Sequence, residues 1–235
     1  MLMTQDAIPG SDPHSMRNSL IYYRRPRIFH KGLIETLARV VGLHSPHLRV
    51  HALGVANFAA KLARQLGLPE EQVDLIRRGS LLHDIGKLGV SQEILSTSEL
   101  LTHGQYEMIK THPERGAALL QECSECQDLI PLVLHHHERF DGTGYPDGIA
   151  GDEIEIEARI IAVADAVDSI VSGRPYRKAR PIRQAIAELE RCSGTQFDPR
   201  VVKAAIPILL EMEAENDRLC RPESRAGDTQ GPRLT

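Results

Sequence analysis

The stretch PHLRVHALGVANFAAKLARQLG, residues 46–67, sets Val55, Phe58, Ala59, Leu62, Ala63 and Leu66 at intervals of three and four. That spacing lines one face of an α-helix; a strand would repeat at every second residue. Ser45 followed by Pro46 marks the start, as an N-cap and a first helical residue whose missing N–H is not needed there. Outward from this stretch, similar apolar spacing predicts helices at 32–42, 71–84, 104–122, 127–137, 157–172, 180–191 and 198–213. Thr102 with Gln105 three residues on has capping-box chemistry and marks the start of the 104–122 helix. No segment sustains alternation at period two, so the expected class is all-α, a bundle of about seven to eight helices.

A chain of 235 residues with 41% hydrophobic and 26% charged residues can bury one sizeable core, and it reads as a single domain at 31–213. Residues 1–30 carry Pro9, Gly10, Pro13 and the basic Arg24, Arg25 and Arg27 without an amphipathic period, and read as a poorly ordered tail. Residues 214–235 read as a second tail. Lys plus Arg number 28 against 32 Asp plus Glu, a formal charge of -4. There is thus no basic field to hold duplex nucleic acid or an anionic membrane. The N-terminal segment lacks the apolar centre of a signal peptide and no apolar run is long enough to span a bilayer, which predicts a soluble, cytoplasmic protein. Cysteines at 123, 126, 192 and 220 are too few and too clustered for a disulfide framework. Cys123-x-x-Cys126 reads as reduced thiols, with a redox pair or half a zinc site as alternatives. No feature of the composition sets an oligomeric state.

The eleven histidines are grouped. His83-Asp84 closes the 71–84 helix and runs into Ile85-Gly86-Lys87, while His136-His137 close the 127–137 helix. A doublet at a helix end can present two ligands to one concave site where the last turn relaxes. Imidazole mixed with carboxylate suits zinc, iron, manganese or nickel better than calcium or magnesium. Taken singly, each histidine reads as a capping or surface residue; taken together they read as a metal site.

In order and spacing, His51, His83-Asp84-Ile85-Gly86-Lys87, His112-Pro113, His136-His137-Glu138-Arg139, Gly144-Tyr145-Pro146 and Asp165 resemble the HD-GYP family of HD-superfamily metal-dependent phosphohydrolases. Supporting text includes LLHDIGKLGV at 81–90, HHERFDGTGYPDGI at 136–149, ARIIAVADAVDSIVSGRPYR at 158–177 and GTQFDP at 194–199. The resemblance implies an HD-domain-like helical fold with a GYP loop and a cyclic di-GMP phosphodiesterase giving pGpG and, by a second cut, GMP. It implies two divalent metals, iron or manganese. His51, His83, Asp84 and Asp165 would hold one, and Asp84, His112, His136 and His137 the other, with Asp84 bridging and a hydroxide between the metals as nucleophile. Asp84 and Lys87 are then the catalytic candidates, Lys87 lying one turn beyond His83 and reaching toward a phosphate oxygen. Arg174 and Arg177, in the RPYR segment, are candidates to grip phosphates or guanine edges, and Tyr145 to stack on a base or a partner. In the family the GYP loop is also associated with docking diguanylate cyclases of the GGDEF type.

The first helix departs from the family pattern. Ser45-Pro46-His47-Leu48 stands where a DxxT motif is usual, Gly54 replaces a common arginine, and Thr97 replaces a common lysine. Some members bind a third metal through a glutamate four residues before the first histidine; His47 occupies that place, at i, i+4 from His51, and is the candidate for a third site. Two other functions fit the same motifs: a cyclic di-GMP-responsive or GGDEF-docking module of slight activity, and an HD phosphohydrolase for another nucleotide. The complete ligand set argues against the first, and the intact GYP loop against the second.

Overall fold

In the computed structural model, which describes residues 30–97, 99–173 and 179–219, helix α1 (His30–His44) turns at Ser45 into α2 (Pro46–Gln65). Ser45 is extended at φ -148° and ψ 108°, as an N-cap must be, although its side chain makes no capping hydrogen bond. At the far end Gly67, with φ 77°, takes the left-handed conformation. Gly67 N–H then bonds the Arg64 carbonyl at 2.9 Å, and Leu68 N–H bonds the Ala63 carbonyl at 3.1 Å. This paired closure satisfies carbonyls that the last turn leaves open, and it explains why the helix stops at this glycine.

The chain continues through α3 (Glu70–Leu82), α4 (Gln92–Ser96), α5 (His103–Lys110), α6 (His112–Gln121), α7 (Ile130–His135), α8 (Ile156–Val171), α9 (Ile182–Arg191) and α10 (Pro199–Leu219). Short 3-10 turns lie at Ile85–Gly89, Ser124–Leu129 and Gly151–Glu153. No strand occurs among the described residues, in keeping with the all-α expectation. Likewise no described helix is long and apolar enough to cross a membrane.

Helix α2 packs against α3 and α8. The predicted stripe of Val55, Ala59, Leu62 and Ala63 is fully buried there with Ile160, Ile161, Ala164, Leu189, Val201 and Leu209. Each large side chain in such a cluster contributes roughly 1.5–3 kcal/mol of burial energy before ordering costs. A second cluster joins Ile34, Leu82, Leu120, Cys126, Leu129 and Val133 from α1, α3, α6, the Ser124–Leu129 turn and α7.

Boundaries differ from the sequence reading in four places. The helix expected at 104–122 is two helices, because Pro113 has no N–H to return to the Ile109 carbonyl and the ladder breaks at Thr111. The capping box at Thr102 is present, Gln105 N–H bonding Thr102 Oγ1 at 3.3 Å and Thr102 N–H bonding Gln105 Oε1 at 2.9 Å. Part of the 127–137 segment is 3-10 turn, Ser124–Leu129, before α7 begins. Helix α4 was not expected at all, since five residues carry too little periodicity to read. Finally α10 continues to Leu219, past the 213 that the apolar spacing gives.

Candidate metal centre

Helix ends place three of the histidines. His83 caps α3, His112 lies just past the break after α5, and His136 caps α7. At each such end a carbonyl of the last turn lacks its i+4 partner. The imidazole takes it up: Nδ1 of His83 bonds the Ser80 carbonyl at 2.7 Å, Nδ1 of His112 the Ile109 carbonyl at 2.7 Å, and Nδ1 of His136 the Val133 carbonyl at 2.8 Å. A carbonyl can only accept, so Nδ1 carries the proton in all three rings, and each Nε2 lone pair points inward. For His112 the accepting carbonyl is the one that Pro113 leaves free, so the helix break and the ligand orientation have one cause.

His51 sits within α2, where the carbonyls are spent, and its Nδ1 is held from another element: Asp168 Oδ2 on α8 accepts at 2.7 Å. Its Nε2 lies 3.0 Å from Asp165 Oδ1. Gly54 makes room for this, because a Cβ there would collide with Asp168 Oδ1 and lie 2.9 Å from Asp168 Cγ. Asp168 was missed by sequence reasoning, although its place three residues after Asp165 on one helix face was a usable signal.

Two donor groups result, His51 with His83 and Asp84, and His112 with His136 and His137, the ligand atoms of each lying within 4.8 Å of one another. Asp84 stands between them. Its Oδ2 is 4.0 Å from His51 Nε2 and 3.5 Å from His83 Nε2, while its Oδ1 is 3.2 Å from His112 Nε2. His112 Nε2 and His136 Nε2 approach to 3.1 Å, and Lys87 Nζ lies 2.7 Å from the Asp84 carboxylate. His83, Asp84, His112 and His136 are all buried. His83 Nε2 has no hydrogen-bond partner despite burial, which would cost about 1–3 kcal/mol without an electrophile to meet it. These residues fit a divalent cation. His47 is exposed on the first turn of α2 and joins neither group, Tyr145 lies beside His137, and Arg174 and Arg177 lie outside the described residues.

Protonation follows position. Burial pushes His137 down to about 3. Burial also lowers His83 and His136, so these rings are neutral donors. His51 is the exception: burial opposes its charge, but the bonds to Asp165 and Asp168 prevail and raise it to about 10. Burial likewise opposes ionisation of Asp84 and Asp165. Even so, Lys87 holds Asp84 well below the carboxylate range, and His51 does the same for Asp165.

The loop after His137 is tied down from both sides. Glu138 is buried, and its Oε1 accepts from Asp147 N–H at 2.7 Å and Gly148 N–H at 3.0 Å. Phe140 and Asp141 N–H bond the Gln196 and Thr195 carbonyls at 3.2 and 2.8 Å, which accounts for the GTQFDP text so far along the chain. At Gly144 a Cβ would lie 2.6 Å from Glu138 Cα and 2.7 Å from the His137 carbonyl oxygen, so only glycine lets the loop fold back this closely. The fold-back stacks Tyr145 on His137, with ring centroids 5.0 Å apart and planes at 26°.

Comparison with known proteins places this geometry. Residues 35–201 match the family model described as HD domain. The chain is 36% identical over 200 residues to the cyclic di-GMP phosphodiesterase response regulator RpfG of Xanthomonas campestris pv. campestris, covering 84% of this chain and 52% of that protein. It is 37% identical over 172 residues to the 3′3′-cGAMP-specific phosphodiesterase 3 of Vibrio cholerae, covering 73% of this chain and 37% of that one. This chain thus spans about half the length, or less, of these relatives. Among solved structures, the HDG"Y"P protein Bd1817 of Bdellovibrio bacteriovorus superposes with a TM-score of 0.58 at 22% identity, covering 68% of this chain and 51% of that one, and so shares the fold. With the HD doublet, the surrounding histidines and the GYP loop all in place, the chain belongs to the HD domain family and carries its HD-GYP signature.

Proposed function

We propose that this chain is a metal-dependent phosphodiesterase that opens cyclic di-GMP to pGpG. The observation that carries this reading is the division of the Asp84 carboxylate, one oxygen toward His51 and His83 and the other toward His112. That is the arrangement a carboxylate shared by two cations requires. His51, His83, Asp84 and Asp165 would hold one metal and Asp84, His112, His136 and His137 the other, with iron or manganese suited to this donor set. When bound, such a pair supplies Lewis-acid charge and lowers the pKa of water.

The protein's own groups do the rest. Neutral His83, His136 and His137 offer lone pairs without a proton to displace, and ionised Asp84 and Asp165 bring the negative charge that offsets two cations. Lys87, held at 2.7 Å from Asp84, keeps an ammonium at the edge of the site for a phosphate oxygen. Cyclic di-GMP is the substrate in the name of the relative from Xanthomonas campestris. The 3′3′-cGAMP in the name of the Vibrio cholerae relative makes that dinucleotide the comparison substrate.

Asp84→Ala is expected to abolish release of pGpG in protein loaded with manganese, or with ferrous iron under anaerobic conditions, while the circular dichroism stays helical. Undiminished hydrolysis by that variant in metal-free buffer would overturn the reading. Faster turnover of 3′3′-cGAMP than of cyclic di-GMP by the wild type would reassign the substrate.

A further inference from the structure

Outside the donor groups, one cation sits in an arrangement that the site chemistry leaves unused. Lys110, the last residue of α5, places Nζ 5.3 Å from the ring centroid of Tyr145 and 5.9 Å from that of Tyr106. Tyr145 in turn stacks on His137. The groups therefore form a ladder leading out from the centre: His137, the Tyr145 ring, the Lys110 ammonium, the Tyr106 ring. Tyr106 and Lys110 are one turn apart on one face of α5. The capping box at Thr102 fixes the start of that helix, and the break at Thr111 fixes its end against His112.

The members of the ladder differ in exposure. Tyr145 is partly covered, whereas Tyr106 is 51% exposed, with a free aromatic surface beside the charge. Among the described residues the anionic partner of Lys110 is Glu107 at 3.4 Å, an exposed i, i+3 pair of little energetic weight. Its ammonium is therefore available to a second anion.

A cyclic dinucleotide has a scissile half at the metals and a second half, with its own phosphate and purine, that must rest on protein further out. We propose that the Tyr106–Lys110 face of α5 is the subsite for that second half: the Lys110 ammonium binds the non-scissile phosphodiester and the Tyr106 ring stacks on the purine. Cations at the edge of an aromatic platform serve nucleotide recognition in this way, the charge tracking the backbone and the ring taking the base. This proposal rests on the reading of the chain as a cyclic dinucleotide phosphodiesterase.

The test is the steady-state kinetics of Lys110→Ala, Lys110→Arg and Tyr106→Ala on cyclic di-GMP, with the metal content of each protein measured alongside. Loss of a charge-assisted contact made equally in ground and transition states should raise KM about tenfold in Lys110→Ala and leave kcat within about threefold. Lys110→Arg should recover most of that loss. Tyr106→Ala should raise KM by about tenfold, the scale of one stacked base. Metal content should match the wild type in all three. An unchanged KM in Lys110→Ala overturns the subsite. So does a fall in kcat accompanied by lost metal, which would show Lys110 acting only through the neighbouring His112. Failure of the wild type to turn over or bind any cyclic dinucleotide defeats the function reading itself and the subsite with it.

Discussion

Removing the Asp168 carboxylate should weaken the metal site although Asp168 belongs to neither donor group. Its Oδ2 accepts from His51 Nδ1 at 2.7 Å, and the imidazole is only 12% exposed. In Asp168→Ala the Nδ1–H keeps no protein acceptor there, and the ring is free to exchange tautomers, so that Nε2 carries the proton for part of the time and offers no lone pair. Loss of such an outer partner lowers metal affinity by about 10–100-fold, equivalent to about 1.4–2.7 kcal/mol. The loss should be confined to the His51 group, because His112 and His136 have their own backbone acceptors. Competition against a graded series of chelators, with bound metal counted by mass spectrometry, reads this directly: one ion should leave early and the other at the wild-type chelator strength. Asp168→Asn, which retains a neutral acceptor, should fall between. Two ions held at wild-type affinity in Asp168→Ala, in a protein with unchanged helical content, would refute the reasoning.

Gly144→Ala should raise KM and weaken metal at the His112 group, since the added Cβ meets the Glu138 and His137 backbone and must lift Tyr145 off His137; a wild-type KM would show that the loop absorbs the methyl. Leu62→Ala, at a fully buried position of the larger core cluster, should destabilise by about 2–5 kcal/mol in urea unfolding, whereas a loss below about 1 kcal/mol would mean that the α2 stripe is not the core. In metal-free protein, acid and alkali should both lower the melting temperature, through different histidines. His137 titrates at about 3 when folded against 6.5 as a free group, so between those values the unfolded chain binds the extra proton and stability falls as pH is lowered. His51, raised to about 10, works the other way: its contribution is complete below 6.5 and is lost as pH rises toward 10. His137→Gln should make the acid limb of the melting curve shallower, the buried His83 and His136 still contributing to it, and leave the alkaline limb in place.

The α2 helix was legible because burial on one side forces an interval of three and four, and the stripe Val55, Ala59, Leu62 and Ala63 is buried as that interval demands. The break inside 104–122 was less visible. Apolar spacing continues through Thr111 and gives no sign of it, while Pro113 reports it only to a reader who asks which carbonyl that proline fails to satisfy. Helix α4 left no readable signal, and the end of α10 was placed early because its last turns are exposed and their residues carry no apolar period.

The site divides along the same line. His83, His112 and His136 could be suspected from their own neighbourhoods, since a histidine at a helix end finds an unspent carbonyl three residues back, and that local bond aims Nε2 outward from the helix. His51 has no such resource. Lying within α2, it needs an acceptor from elsewhere in the fold, and the acceptor is 117 residues away at Asp168. That contact requires a third position, Gly54, where any side chain would occupy the space of the Asp168 carboxylate. The replacement of an expected arginine by glycine therefore looks like a defect along the chain, yet in the fold it opens the path by which α8 orients a ligand on α2. The resemblance put His51 and His112 in the ligand set alike, and a local rule then accounts for the aim of the ligands that local backbone positions. The ligand positioned by packing became fully readable only once α2 and α8 were set side by side.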